Sequence, residues 1–257
     1  MKRIFLSTCA LMLVWAASGC NAAQSSTPAL PLPTAPAPTL ASTQTPAPLP
    51  TITAAPITAT VGSQSGSSKE SADAAFAELL EKVKASDPSV DFTEFRLAYA
   101  KTSKYDPYSF STGDLRDSMV TALNDKNYEL ALKLADQMLA QNFILPEAHI
   151  VAIRACEALG QTEEADFHRY VLNGLIASIL HSGDGKSPEH AFVVVLIEEE
   201  YLILDVLGIK GTGQSEMEAN GHSYDVLDGV IAKTGGPTTV YFNIDIPFHG
   251  LMNSLNP

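Results

Sequence analysis

SGDGKSPEHAFVVVLIEEEYLILDVLG, residues 182–208, followed at residues 238–248 by TTVYFNIDIPF, is the stretch whose reading decides the fold. Residues 191–197 and 201–207 are nearly continuous apolar runs, which fit strands covered on both faces. Glu198, Glu199 and Glu200 between them read as a solvated turn. Residues 214–219 and 222–230 flank Asn220-Gly221, the dipeptide most favoured in a two-residue hairpin turn. From Thr238 to Ile246 the pattern alternates. Val240, Phe242, Ile244 and Ile246 face one way, Tyr241, Asn243 and Asp245 the other, and Pro247 stops the run. Four or five antiparallel strands are expected over 183–250, with a short tail over 251–257.

Upstream, over 69–182, the period is helical. Ala74, Ala75, Leu79, Leu80 and Val83 recur at helical spacing before Asp87-Pro88, and Phe92, Phe95 and Tyr99 share the core face of a short helix. Asp114 reads as the N-cap of 115–123 and Asn127 as that of 128–141. Pro146 opens 147–159, Gly160 closes it, and a last helix runs from Thr162 to about Leu180. NYELA at 127 and QTEEA at 161 lie 34 residues apart, with Ala131 and Ala165 at close-packing positions, as in a degenerate tetratricopeptide repeat. The expected fold class is α+β: tetratricopeptide-like helical hairpins, then a C-terminal antiparallel β-meander packed on the helices.

The N-terminal segment, 1–20, reads as an export signal: Lys2 and Arg3, then the uncharged run from Ile4 to Ala17, too short to span hydrocarbon. Ala17-Ser18-Gly19-Cys20 resembles a bacterial lipobox. That resemblance implies cleavage before Cys20 and acylation of the cysteine with chains such as palmitate, which would anchor the protein stably in the membrane. The alternative is an ordinary signal peptide cut near Ala22 or Ala23. Asn21 after the cysteine resembles the enteric sorting pattern, which implies the outer membrane, facing the periplasm or the cell surface. Residues 21–68 hold nine prolines and no charge, a composition that reads as a disordered tether. Beyond the signal, 14 basic residues stand against 29 acidic ones, a formal charge of −15 that disfavours nucleic acid.

The residue types that carry chemistry are sparse. Gly183, Asp184, Gly185 and Lys186 suggest a phosphate loop, but Leu180 stands where its first glycine belongs, so no nucleotide is expected. Gly183 instead reads as the left-handed residue that ends the helix. No cofactor is implied, and the histidines have no metal-ligand spacing. Glu164 and His168, one turn apart, read as a surface pair. Asp205 interrupts a covered strand and needs a partner, for which Lys186, His190 and His222 are the candidates. Cys156 reads as a small buried hydrophobe, and no serine stands in a G-x-S-x-G elbow.

Several segments together resemble a bacterial family known as domain of unknown function 4919. They are VDFxxFRxxY, YDPY, GDGKSPExAF, EEYxxLDVLG, NGHSYDV and VYFNIDIPF, which run in order from residue 90 to 249. The resemblance implies an exported bacterial protein with tetratricopeptide-like helices and a C-terminal sheet, and it implies no activity. The expected function is a non-catalytic interaction or scaffold module, held in the envelope by lipid on Cys20 and binding a protein or envelope component. The alternative is an envelope hydrolase with a polar site drawn from Asp184, Lys186, Asp205 and His222.

Overall fold

Eight helices and a four-stranded sheet occupy residues 65–108 and 113–255, the residues that this computed structural model describes. The signal, Cys20 and residues 21–64 of the tether lie outside them. Helices α1 (Ser65–Lys84), α2 (Phe92–Tyr99), α3 (Gly113–Asn124), α4 (Tyr128–Gln141), α5 (Pro146–Leu159) and α6 (Thr162–Leu180) come first. Strand β1 (Phe192–Val193), α7 (Glu198–Val206), β2 (Ile209–Ala219), β3 (His222–Ile231), β4 (Pro237–Asn243) and α8 (Asp245–Leu255) follow. Among the described residues no helix is long and apolar enough to cross a membrane.

The helix ends obey their local chemistry. Asp91 accepts from the N–H groups of Thr93 and Glu94, and Asn127 from Leu130, so each satisfies donors that the first turn leaves open. Pro146 opens α5, and Gly160 closes it at φ 76. Ala131, Ala135, Ala148, Ala152 and Ala155 are buried, and with Met119, Met138 and Leu139 they form the core of α3, α4 and α5. A second core joins α1, α2 and α6 through Val83, Phe95, Tyr99, Val171 and Leu175. Cys156 is buried as its neighbours suggest, and burial raises its thiol pKa.

His168 is not paired with Glu164 at the surface. It is 6 % exposed, and its Nδ1 lies 2.9 Å from Nδ1 of the fully buried His149. Phe143 O lies 2.9 Å from His149 Nε2, so that nitrogen donates and Nδ1 accepts the His168 proton. Burial pushes the His149 pKa down to about 3, which keeps the ring neutral.

The sheet departs from the expected antiparallel meander. Its order is β1-β4-β3-β2, and β1 pairs parallel with β4, while the β2–β3 and β3–β4 pairs are antiparallel. The Asn220-Gly221 hairpin forms as read, with both residues at positive φ (54 and 80). The run 191–197 contributes only two strand residues. The run 201–207 is helix α7: Glu199, Glu200, Ile203 and Leu204 form its buried stripe, and Gly208 at φ 66 follows its end. Alternation in the last strand ends at Asn243. Pro247 is the third residue of α8, where its missing N–H costs nothing.

Gly185, not Gly183, takes the left-handed conformation in the loop after α6, at φ 68. A Cβ on Gly185 would stand 2.5 Å from the Phe192 ring, and one on Gly183 would stand 2.3 Å from His190 O. Gly185→Ala is expected to cost about 2 kcal/mol, from backbone strain plus overpacking. Gly208→Ala, at similar φ but with nothing near its Cβ position, should cost only about 1 kcal/mol. Urea midpoints of the two variants check the difference.

Candidate functional site

Polar groups converge at the N-terminus of α7. Arg96 on α2 is 1 % exposed, and its guanidinium spans three elements. Nε donates to Ser178 Oγ on α6 (2.8 Å), Nη1 and Nη2 donate to Val193 O on β1 (3.1 and 3.0 Å), and Nη1 also reaches Glu199 Oε2 (2.7 Å). The same Glu199 oxygen accepts the N–H groups of Val195 and Leu196, so it ties down the chain entering the helix. Tyr105 Oη donates to Val195 O at 2.7 Å on the other side of this segment.

Glu198 and Glu200 flank that ion pair under different conditions. Burial raises the Glu198 pKa to about 8, and the charges of Glu199 and Glu147 add to the rise, partly offset by Arg116. Arg116 itself makes two hydrogen bonds to Glu147, of 2.5 and 2.7 Å. Glu200 is 0 % exposed, and neither of its carboxyl oxygens meets an N–H or hydroxyl donor. Burial raises its pKa well above the ordinary value, and the adjacent Asp225 on β3 raises it further. Asp225 is raised too, again mainly by burial, although Gln214 Nε2 donates to its Oδ2 at 3.0 Å. A proton held between the Glu200 and Asp225 carboxyls relieves the repulsion of the pair. Tyr201 Oη donates to Gln214 Oε1 (3.0 Å), completing a chain of polar groups from the surface to Asp225.

The residues singled out in the sequence do not share a site. Asp184 and Lys186 are exposed and pair with each other at 3.0 Å. The N–H groups of Asp184 and Gly185 go to His190 O, and Gly185 O accepts from Tyr241 N–H, so the loop fastens α6 to the edge of β4. Asp205 is not in a covered strand; it is exposed on α7. His222 is exposed at the hairpin and meets Asp245 Oδ2 at 2.5 Å. Burial would raise the Asp245 pKa, but hydrogen bonds from Ser223 N–H, His222 and Asn243 outweigh it and the pKa is lowered. Asp205 precedes β2 at the Ile209–Ile231 end of the sheet, whereas His222 starts β3 at the opposite end. Nine residues of strand, roughly 30 Å, separate the two ends. That distance is far beyond the hydrogen-bond reach that shared acid–base chemistry requires.

The buried acidic cluster was missed because Glu198-Glu199-Glu200 reads as a polar turn. One signal was present. Phe92, Phe95, Arg96 and Tyr99 stand at i, i+3, i+4 and i+7, so Arg96 lies on the core stripe of α2 and implies a buried counter-charge. Among the described residues no group of three or more His, Cys, Asp or Glu side chains could hold a metal ion. The segments behind the family resemblance meet here: FRxxY supplies Arg96, YDPY supplies Tyr105, EEY supplies Glu199 and Glu200, and SYDV supplies Asp225. No curated protein and no solved structure matches the chain. The family model described as domain of unknown function (DUF4919) matches residues 65–252, so the chain belongs to that family.

Proposed function

We propose that the protein is a lipid-anchored module of the bacterial envelope, most simply of the outer membrane, that works by holding a partner and not by turning over a substrate. The observation that carries this reading is a shallow groove of about 470 Å³ along α4, where that helix meets the end of α5 and the start of α6. Leu132, Ala140 and Leu159 line it beside the charged Glu129, Lys133 and Asp136. Apolar and charged side chains side by side suit a protein-binding surface. The 34-residue interval from Tyr128 to Thr162, the first residues of α4 and α6, supports a tetratricopeptide-like pairing of these helices, whose stacked hairpins offer such grooves. Cys20 and the uncharged tether supply attachment and reach.

Two measurements test this. Cells fed an alkyne fatty acid should label the wild-type chain, and Cys20→Ser should abolish the label and release the protein from the membrane fraction. Equal labelling of the variant removes the anchor from the proposal. A photo-crosslinking residue at Leu132 or Gln137 should give an adduct of one defined mass in living cells, while the exposed Lys84 position gives none. Absence of an adduct from the groove, or the same adduct from Lys84, removes the partner.

A further inference from the structure

Strand β2 is the edge of the sheet, and among the described residues no strand pairs with the outer side of its eleven residues. The hydrogen bonds of β3 fix which of its groups look outward. Ser223 O accepts from Ile244 N–H on the β4 side, and Ala232 N–H donates to Gly208 O on the β2 side. Even-numbered residues of β3 therefore bond β2 and odd-numbered ones bond β4. In the register Gln214↔Leu227, Glu216↔Asp225, Glu218↔Ser223, the three β2 residues must turn their N–H and C=O groups away from β3. Those N–H groups meet no partner among the described residues.

The side chains of the same three residues share the face covered by α7. Gln214 reaches Asp225 Oδ2 and Tyr201 Oη there, and Glu216 stands beside Asp225 in register. Behind them lies the fully buried Glu200, whose carboxyl meets no N–H or hydroxyl donor and shares a proton with Asp225. Sheet edges are commonly protected by charge, which Glu216 and Glu218 supply. Edge protection alone does not call for a second row of carboxyls, Asp225 and Glu200, running inward from the exposed one.

We propose that the β2 edge binds an extended segment of a partner protein carrying Lys or Arg at alternate positions, added to the sheet as a fifth strand. A residue of that strand placed opposite Glu216 projects onto the α7 face about 5 Å away, and the residue two positions along faces Glu218. The backbone groups of Gln214, Glu216 and Glu218 supply the ladder, and the carboxylates select the side chains. Tyr201 and Val206, both about half exposed on α7, flank the acidic row with apolar surface. The tether cannot be this strand by the same chemistry, since residues 21–68 contain no basic residue. A second copy of β2 would bring its own glutamates against these.

The proposal deepens the partner-holding reading and specifies a different surface from the helical groove, so the two fail separately. Full-length protein in neutral detergent is titrated with a fluorescent acetylated peptide of alternating Thr and Lys. Its Thr–Glu counterpart and a version with a central Pro serve as controls. The Lys peptide should bind and slow hydrogen exchange of the Gln214, Glu216 and Glu218 amides, and both controls should bind at least tenfold more weakly. The double variant Glu216→Gln, Glu218→Gln should lose tenfold or more in affinity with unchanged melting, both side chains being exposed. No binding at millimolar peptide overturns the proposal. So does equal binding of the Pro peptide, or binding without protection of the three amides, either of which would mark mere charge attraction. Protection of those amides before peptide is added, with a dimer or a folded-back tether in the same sample, assigns the edge to the chain itself and overturns it too.

Discussion

Arg96→Ala is expected to destabilise the protein by about 3–5 kcal/mol, the usual cost of leaving one member of a buried ion pair alone. The magnitude follows from what the guanidinium holds. Its partners Ser178, Val193 O and Glu199 come from α6, β1 and α7, so one side chain fastens the helices to both the first strand and the helix over the sheet. Without it, the Glu199 carboxyl is left without its cation at 1 % exposure, and Val193 O loses both guanidinium donors. Arg96→Lys should recover only part of the loss, because one ammonium cannot reproduce the fork that serves Ser178 and Val193 together. Adding Glu199→Gln to Arg96→Met should recover about half, since the amide oxygen can still accept the Val195 N–H while the stranded charge is gone. Urea unfolding at constant m-value measures all four proteins. A loss below about 1 kcal/mol for Arg96→Ala would show that the pair is not a structural tie.

The same residue shows why part of the molecule could be read from its sequence and part could not. Features set by a few consecutive residues were legible. Asn220-Gly221 makes the hairpin because both positions need positive φ, and Asn127, Pro146 and Gly160 bound their helices through their own backbone chemistry. Residues 201–207 were not legible, because an apolar run broken only by Asp205 satisfies the strand and helix periods alike. The deciding signals lay just outside the run: acidic residues suited to a first helical turn, and Gly208 suited to follow the last. The polar cluster was hidden for a different reason. Glu199 looks solvated until Arg96, 103 positions earlier, is packed against it, and no local pattern carries that pairing. The parallel β1–β4 pair is non-local as well, since α7 and the β2–β3 hairpin intervene.

Glu200→Gln should stabilise the protein at neutral pH and leave it nearly unchanged in mild acid. In the folded chain burial and Asp225 hold the Glu200 pKa well above the ordinary carboxyl value, whereas in the unfolded chain it returns to about 4.3. The folded state therefore favours the protonated form. Its stability is full below the unfolded pKa and is lost as pH rises from there toward the folded pKa, the reverse of a salt-bridged carboxylate. A glutamine is neutral at every pH and can still donate to Asp225, so it escapes the loss. His149 and His168 act with the opposite sign: their lowered pKa values cost stability as pH falls below about 6.5. Both proteins share that loss, so it cancels in the difference. The test is the difference in unfolding free energy between variant and wild type, which should be near zero below about pH 4.3 and grow as pH rises toward neutrality. A difference independent of pH would mean that Glu200 titrates alike in the folded and unfolded chains, so that burial and Asp225 do not hold its proton.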